Sequence, residues 1–150
     1  MPMLDIVAIT ATIVHFFGRL GCFAAGCCYG LPTHNHSLSV TFHHLASKAK
    51  PLGEPLHPTQ LYEATLIACI GLILFMFKRH QRFQGQLFLI YIALYAIGRG
   101  IIENYRGDIR RGFIIENVLS HSQLISLILV GVVIYFYLKL SKKQKKLQKN

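Results

Sequence analysis

Four ionisable residues, Arg19, Glu63, Arg99 and Glu103, interrupt runs that are otherwise almost wholly apolar. An ionised side chain inside a bilayer costs roughly 3 kcal/mol or more, so it turns toward a partner or a wet cavity. At about 100° per residue, Tyr95, Arg99, Glu103 and Arg106 fall within about 80° of helical arc, one polar stripe on a greasy helix. Arg99 and Glu103 can pair at i,i+4, and Glu103 and Arg106 at i,i+3. A self-neutralising ladder would explain one such pair, yet it leaves Arg19, Arg106, Arg110 and Arg111 with too few acids. Surplus arginine at one end of a membrane bundle suits a lipid phosphate. The guanidinium fork matches phosphate oxygens bidentately and stays charged at any relevant pH.

Three further groups of residues bear on the chemistry. The stretch HPTQLYE, His57 to Glu63, sets a histidine just ahead of a helix that Pro58 is suited to open. A histidine at a wet membrane edge can serve as general base, although a solvated, hydrogen-bonded role is the commoner one. The stretch GRLGCFAAGCCYG, Gly18 to Gly30, combines small residues that permit close helix packing with Cys22, Cys27 and Cys28. Adjacent Cys27 and Cys28 do not match the usual two-residue spacing of metal thiolates, so small apolar thiols are the expectation, with an outer-face disulfide left open. His34, His36, His43 and His44 read as solvated loop residues, and neither metal nor cofactor is expected.

These residues need a membrane scaffold. Of 150 residues, 53% are hydrophobic and 15% charged, against about a quarter charged in average soluble chains. Intrinsic disorder is excluded on that ground, and the composition argues against a soluble globular domain. About 20 apolar residues cross the hydrocarbon core. Such runs occupy Leu4 to about Cys28, Pro58 to Phe77, Gln84 to Tyr105 and Asn117 to Leu138. The predicted fold is therefore all-α, a polytopic membrane protein of about four transmembrane helices. Residues 1–138 make the membrane-embedded domain and 139–150 a basic cytoplasmic tail.

The formal charge is +10, and six of the 16 Lys and Arg residues lie between Lys139 and Lys149. With that tail inside, nine Lys and Arg flank the spans on the cytoplasmic side and five on the outer side. The bias places both termini in the cytoplasm and the 30–57 and 106–116 loops outside. The tail reads as a topology signal able to touch anionic headgroups, and no nucleic-acid partner is expected. Met1 to Asp5 lacks the positive start of a cleavable signal peptide.

Taken together, three blocks resemble the prolipoprotein diacylglyceryl transferase family. They are GRLGCFAAGCCYGLPT (Gly18 to Thr33), HPTQLYE (His57 to Glu63), and the spaced set Tyr95, Arg99, Glu103, Arg106 and Asp108. LSHSQLIS, Leu119 to Ser126 with Gln123, is a weaker fourth, and the blocks follow the family order. The resemblance implies an enzyme of the bacterial inner membrane that moves the diacylglyceryl group of phosphatidylglycerol to a cysteine thiol of a prolipoprotein signal peptide. A thioether forms, and glycerol phosphate leaves. It further implies catalytic roles for Tyr95, Arg99, Glu103 and His57, and substrate-binding roles for Arg19, Gly30, Gln60, Tyr62, Glu63 and Arg106.

The chain resembles a short, N-terminally reduced, Cys-rich form of that family. Many members carry Asn at the position of Cys22, and typical members have further helices ahead of the first block, one bearing a histidine motif. Three expectations stay open on this point: a truncated chain, a partner chain supplying the missing helices, or a compact homologue with altered activity. Two other classes compete with the enzyme. One is a non-catalytic phospholipid-binding or assembly subunit, the other a small cation-coupled transporter using Arg99 and Glu103.

Overall fold

In the computed structural model the described residues are 2–34, 38–106, 113–115 and 119–147. Four helices dominate: α1 (Pro2–Ala24), α2 (Thr59–Phe77), α3 (Gln86–Ile102) and α4 (His121–Leu147). Each carries a stretch long and apolar enough to cross a membrane: Met3–Ala24, Thr59–His80, Gln86–Tyr105 and Ser122–Gln144. Helix is the form such runs must take, because hydrocarbon offers no partner to an unpaired backbone group. The chain runs up and down, with α1 packed mainly on α2, α3 on α4, and α2 and α1 both against α3.

The core is thin. Ala8, Ile70, Leu74 and Leu87 form its buried centre, with Leu66, Phe88, Leu94 and Tyr95 packed around them. Small residues set the closest approaches. A Cβ on Gly71 would sit 3.2 Å from Thr12 Oγ1, and one on Gly98 would run into the Leu66 side chain. The outward faces remain apolar, with Ile6, Val14, Phe17, Leu72, Phe75 and Leu127 all exposed. That is the surface a bilayer would cover.

At one end of the bundle the connections are tight, and Asp5 does unexpected work there. Its Oδ2 accepts bonds from Gln81 Nε2 and the Gly85 amide at 2.6 Å each, and its Oδ1 from the Leu87 amide at 2.9 Å and the Phe88 amide at 3.3 Å. The carboxylate thus caps the start of α3 from another helix, satisfying orphan N–H groups and opposing the positive end of the helix dipole. Gly85 makes the turn into α3 at φ 92. A cavity of about 920 Å³ opens at this end, lined by Asp5, Lys78, Gln81, Arg82, Lys143 and Gln144 among others. It lies at the opposite end from Arg19, Glu63 and Arg99.

The other end is a braid. Short strands β1 (Val40–Thr41) and β2 (Pro55–Leu56) pair antiparallel within the long α1–α2 connection. Residues 30–33 run beside 55–57: the Gly30 amide donates to the His57 carbonyl at 2.9 Å, and the His57 amide to that of Leu31 at 3.0 Å. The Leu31 amide donates to the Tyr105 carbonyl at 2.9 Å, which ties the end of α3 into the same braid. Strands β3 (Phe113–Ile115) and β4 (Leu119–Ser120) form a second short antiparallel pair before α4.

Two boundaries differ from the sequence expectation. The first helix ends at Ala24, so Cys27 and Cys28 lie in the loop, and α4 begins at His121 rather than near Asn117. Hydropathy cannot tell an uncharged strand from the first turn of a helix. Beyond Leu138 the basic stretch continues as helix through Leu147, with Lys139 Nζ 5.7 Å from the centre of the Tyr135 ring. Asp108, Arg110, Arg111, Asn117 and His36 lie outside the described residues.

Candidate active site

Glu63 lies four residues into α2, about 6 Å below its start at 1.5 Å per residue. It is 1% exposed. Three guanidinium groups converge on it from two other helices and the braid: Arg19 Nε at 2.5 Å from Oε2, and Arg99 and Arg106 at 3.1 and 3.3 Å from Oε1. Arg99 also reaches Glu103 Oε2 at 2.8 Å, the i,i+4 pair that spacing alone suggests. Three cations and two carboxylates leave a net charge of +1 within the cluster.

Most of these contacts are ionic rather than directional. Arg106 donates to Glu63 Oε1, whereas Arg19 Nε, Arg99 NH1 and Glu63 Oε2 complete no aligned hydrogen bond among the described residues. Gln60 Oε1 is a further buried acceptor of the same kind. Buried polar groups in folded chains are ordinarily satisfied. A buried cluster held by ion pairs and carrying a surplus positive charge is suited to hold an anion.

Aromatic groups frame it. Tyr95 lies in electrostatic reach of Arg19, stacks on Tyr91 with ring centres 6.1 Å apart, and meets His15 edge-on at 4.9 Å. His15 Nδ1 lies 3.3 Å from the Tyr91 hydroxyl, which links α1 to α3 beside the arginines. Neither the composition nor the motifs single out His15. Its spacing to Arg19, i,i+4, was the signal that places both on one face.

His57 stands apart from the carboxylates. Its Nδ1 is 3.1 Å from the Tyr62 hydroxyl, and its ring meets Tyr105 edge-on at 5.5 Å. Tyr62 donates its one hydroxyl proton to the Leu38 carbonyl at 3.2 Å. Nδ1 of His57 must then be the donor to Tyr62, which leaves Nε2 with a lone pair. Gln60 faces the cysteine loop, its Nε2 donating to the Cys27 carbonyl at 2.7 Å. Gly30 sits where three backbones cross, and a Cβ there would lie 2.6 Å from His57 Cβ, the His57 carbonyl and the Tyr105 carbonyl. Only glycine fits that crossing without movement.

Gln123 of α4 donates to Asn104 Oδ1 at 3.1 Å, docking the fourth helix beside Glu103. The fold therefore draws Arg19, Glu63, Arg99, Glu103 and Arg106 into one cluster, with Tyr95 attached to it. His57, Tyr62 and Tyr105 form a neighbouring aromatic group at the braid.

A family model for prolipoprotein diacylglyceryl transferase matches residues 1–139. The chain belongs to the prolipoprotein diacylglyceryl transferase family. It is 36% identical over 137 residues to the phosphatidylglycerol–prolipoprotein diacylglyceryl transferase of Clostridium tetani, covering 90% of this chain and 53% of that protein. A second protein of that name in Clostridium perfringens is 34% identical over 91% of this chain and 51% of its own length. The corresponding protein of Dehalococcoides mccartyi is 34% identical over 99% and 55%. The chain spans about half the length of the curated relatives it matches. No solved structure matches it. A bacterial family and four apolar helices make this a multi-pass membrane protein.

Proposed function

We propose that this chain carries out, or carries the core of, diacylglyceryl transfer from phosphatidylglycerol to the thiol of a prolipoprotein lipobox cysteine. The supporting observation is the buried carboxylate ringed by three arginines, with its net charge of +1. A phosphodiester brings one negative charge, which closes the cluster at neutrality. Arg19 and Arg106, both at the braid end of the bundle, are assigned to the lipid phosphate, with Gly30 holding the braid together beside them.

The reaction displaces a phosphate ester from carbon. The C–O bond breaks as the thiol sulfur attacks, and its electron pair departs on glycerol phosphate. Arg99, held by Glu63 and Glu103, is placed to stabilise that growing anion, and fixed cations in a water-poor site do so at little reorganisation cost. Glu63 and Glu103 keep the guanidinium groups aimed, and Tyr95 does the same for Arg19. His57 Nε2, with its lone pair, is the assigned acceptor of the thiol proton. Tyr62 fixes its tautomer, and Gln60 fixes the adjoining loop. The reaction face is the outer one, with both termini and the basic tail, residues 139–150, on the cytoplasmic side of the inner membrane.

A second reading, phospholipid binding without turnover, rests on the same net charge of +1, which holds a phosphodiester whether or not a bond breaks. The two are separated by following headgroup release from phosphatidylglycerol labelled in its glycerol phosphate, with a lipobox peptide present. Transfer predicts peptide-dependent release that is lost in Arg99→Ala and Glu103→Gln. Binding alone predicts phosphatidylglycerol retention, weakened in Arg19→Ala, with no release in any variant.

A further inference from the structure

The end of α1 brings three thiols together. Cys22 lies in its last turn and Cys27 and Cys28 in the loop beyond, with the three Sγ atoms all within 4.8 Å of one another. The backbone is bent to achieve this. Gly26 turns the chain at φ 67, and Cys28 itself adopts φ 60, a region that side-chain-bearing residues seldom enter. Buried groups of α2 hold the bend: Gln60 Nε2 donates to the Cys27 carbonyl and Thr59 Oγ1 to the Cys28 carbonyl, both at 2.7 Å. A strained residue held in place by buried hydrogen bonds is the mark of a pre-organised site. All four cysteines are free thiols, and Cys69 lies on the outward face of α2.

We propose that Cys22, Cys27 and Cys28 form a three-thiolate site for a soft divalent cation of the zinc class, with its fourth position open to an incoming thiol. The spacing in sequence argues against a metal, but the fold supplies the proximity that spacing lacks. Zn–S bonds of about 2.3 Å set tetrahedral S···S separations of about 3.8 Å, so the sulfurs need to close by at most about 1 Å. That is within reach of small side-chain rotations. Among the described residues no histidine, carboxylate or further cysteine completes a fourth corner. Three protein ligands and an open position are the pattern of zinc sites that act on what they bind, whereas structural sites are closed by four. Each thiol gives up its proton on binding, and three thiolates on a divalent ion leave one negative charge.

The identity of the fourth ligand rests on the proposed transfer reaction. The acceptor cysteine would give up its thiol proton, with His57 Nε2 as its assigned acceptor, on binding the metal and remain a thiolate. Its sulfur then forms the S–C bond, the C–O bond to phosphate breaks, and the electron pair leaves with glycerol phosphate. Gln60, which holds the thiol loop, precedes Glu63 by three residues on α2, so the loop adjoins the arginine cluster.

The test titrates Co²⁺, a spectroscopic probe for zinc, into the reduced full chain in nanodiscs, with Zn²⁺ as competitor. Expected is one tetrahedral cobalt per chain with a sulfur charge-transfer band, displaced by Zn²⁺ and unchanged in Cys69→Ser. Cys22→Ser, Cys27→Ser and Cys28→Ser should each weaken binding more than the roughly 10–100-fold that loss of an outer-shell partner costs. Where a serine variant fails to fold, mass-spectrometric mapping on the unaltered chain replaces it: Zn²⁺ must protect Cys22, Cys27 and Cys28 from alkylation together. A lipobox peptide should shift the cobalt spectrum, and its serine counterpart should not. No stoichiometric metal, or no joint protection, overturns the site. Thiol transfer that persists without metal in the triple serine variant also overturns the inference and leaves the transfer reading intact. Metal and thiol binding in a chain that transfers nothing upholds the site and refutes the transfer reading instead.

Discussion

Replacing Glu63 by Gln is the most informative single change to the scaffold. Glutamine keeps the shape and one acceptor oxygen but removes the charge, so the five-residue cluster moves from +1 to +2. Glu63 is 1% exposed and meets Arg19, Arg99 and Arg106 at 2.5 to 3.3 Å. Removing one partner of a buried ion pair costs about 3–5 kcal/mol, because the remaining charge loses its compensation. Two factors hold the figure toward the lower limit. Glu103 still neutralises Arg99, and the Arg19 side chain is 16% exposed, so water takes up part of its charge. A loss of about 3 kcal/mol is expected. Unfolding in mixed micelles, followed by loss of helical circular dichroism, measures it. Adding Arg106→Gln returns the cluster to +1 and should recover part of the loss, with a coupling of at least about 1 kcal/mol between the two positions. A Glu63→Gln chain within about 0.5 kcal/mol of the parent, with additive effects in the double variant, would refute the buried-hub account.

Other consequences follow from single contacts. Asp5→Ala removes four hydrogen bonds at the start of α3 and should destabilise the chain by about 2 kcal/mol, seen most directly as faster hydrogen exchange at the Leu87 and Phe88 amides. Gly30→Ala must push apart three backbones and should cost about 1–3 kcal/mol, with broadened amide signals from residues 31 and 57. Burial and the neighbouring thiols of Cys22 and Cys28 push the Cys27 thiol up to about 11. In the metal-free chain its thiolate fraction at pH 8 is then about 10⁻³, against about a quarter for an ordinary cysteine of pKa 8.5. Iodoacetamide labelling of Cys27 should keep accelerating as pH rises from 9 to 11, and a plateau near 9 would contradict the raised pKa.

Hydropathy was enough to reveal four helices, because the runs are long and their few charges cluster near one end. The Arg99–Glu103 pair was legible too, since i,i+4 spacing is a local property of one helix. The hub role of Glu63 was not. Its three partners come from positions 19, 99 and 106, and no periodicity within α2 announces contacts made across helices. Family motifs pointed to these residues without saying which of them touch. Asp5 escaped notice for a related reason: a lone acid near a helix start looks like a dipole partner of its own helix, whereas here it caps α3. The proximity of the three thiols was not legible in their spacing, because two left-handed residues, Gly26 and Cys28, bend the chain more tightly than a regular turn.

The central claim is that one bond in phosphatidylglycerol is exchanged for a thioether at this arginine cluster. The most direct measurement uses phosphatidylglycerol labelled with one isotope in the acyl chains and another in the glycerol phosphate headgroup. Purified chain in nanodiscs is mixed with a lipobox peptide, and both labels are followed in the parent and in Arg99→Ala. The account predicts acyl label on the peptide thiol and headgroup label in solution in equal amounts, falling by about 10²–10³ in rate when Arg99 is lost. Labels that stay together on the lipid in the parent chain, whatever is bound, would contradict it.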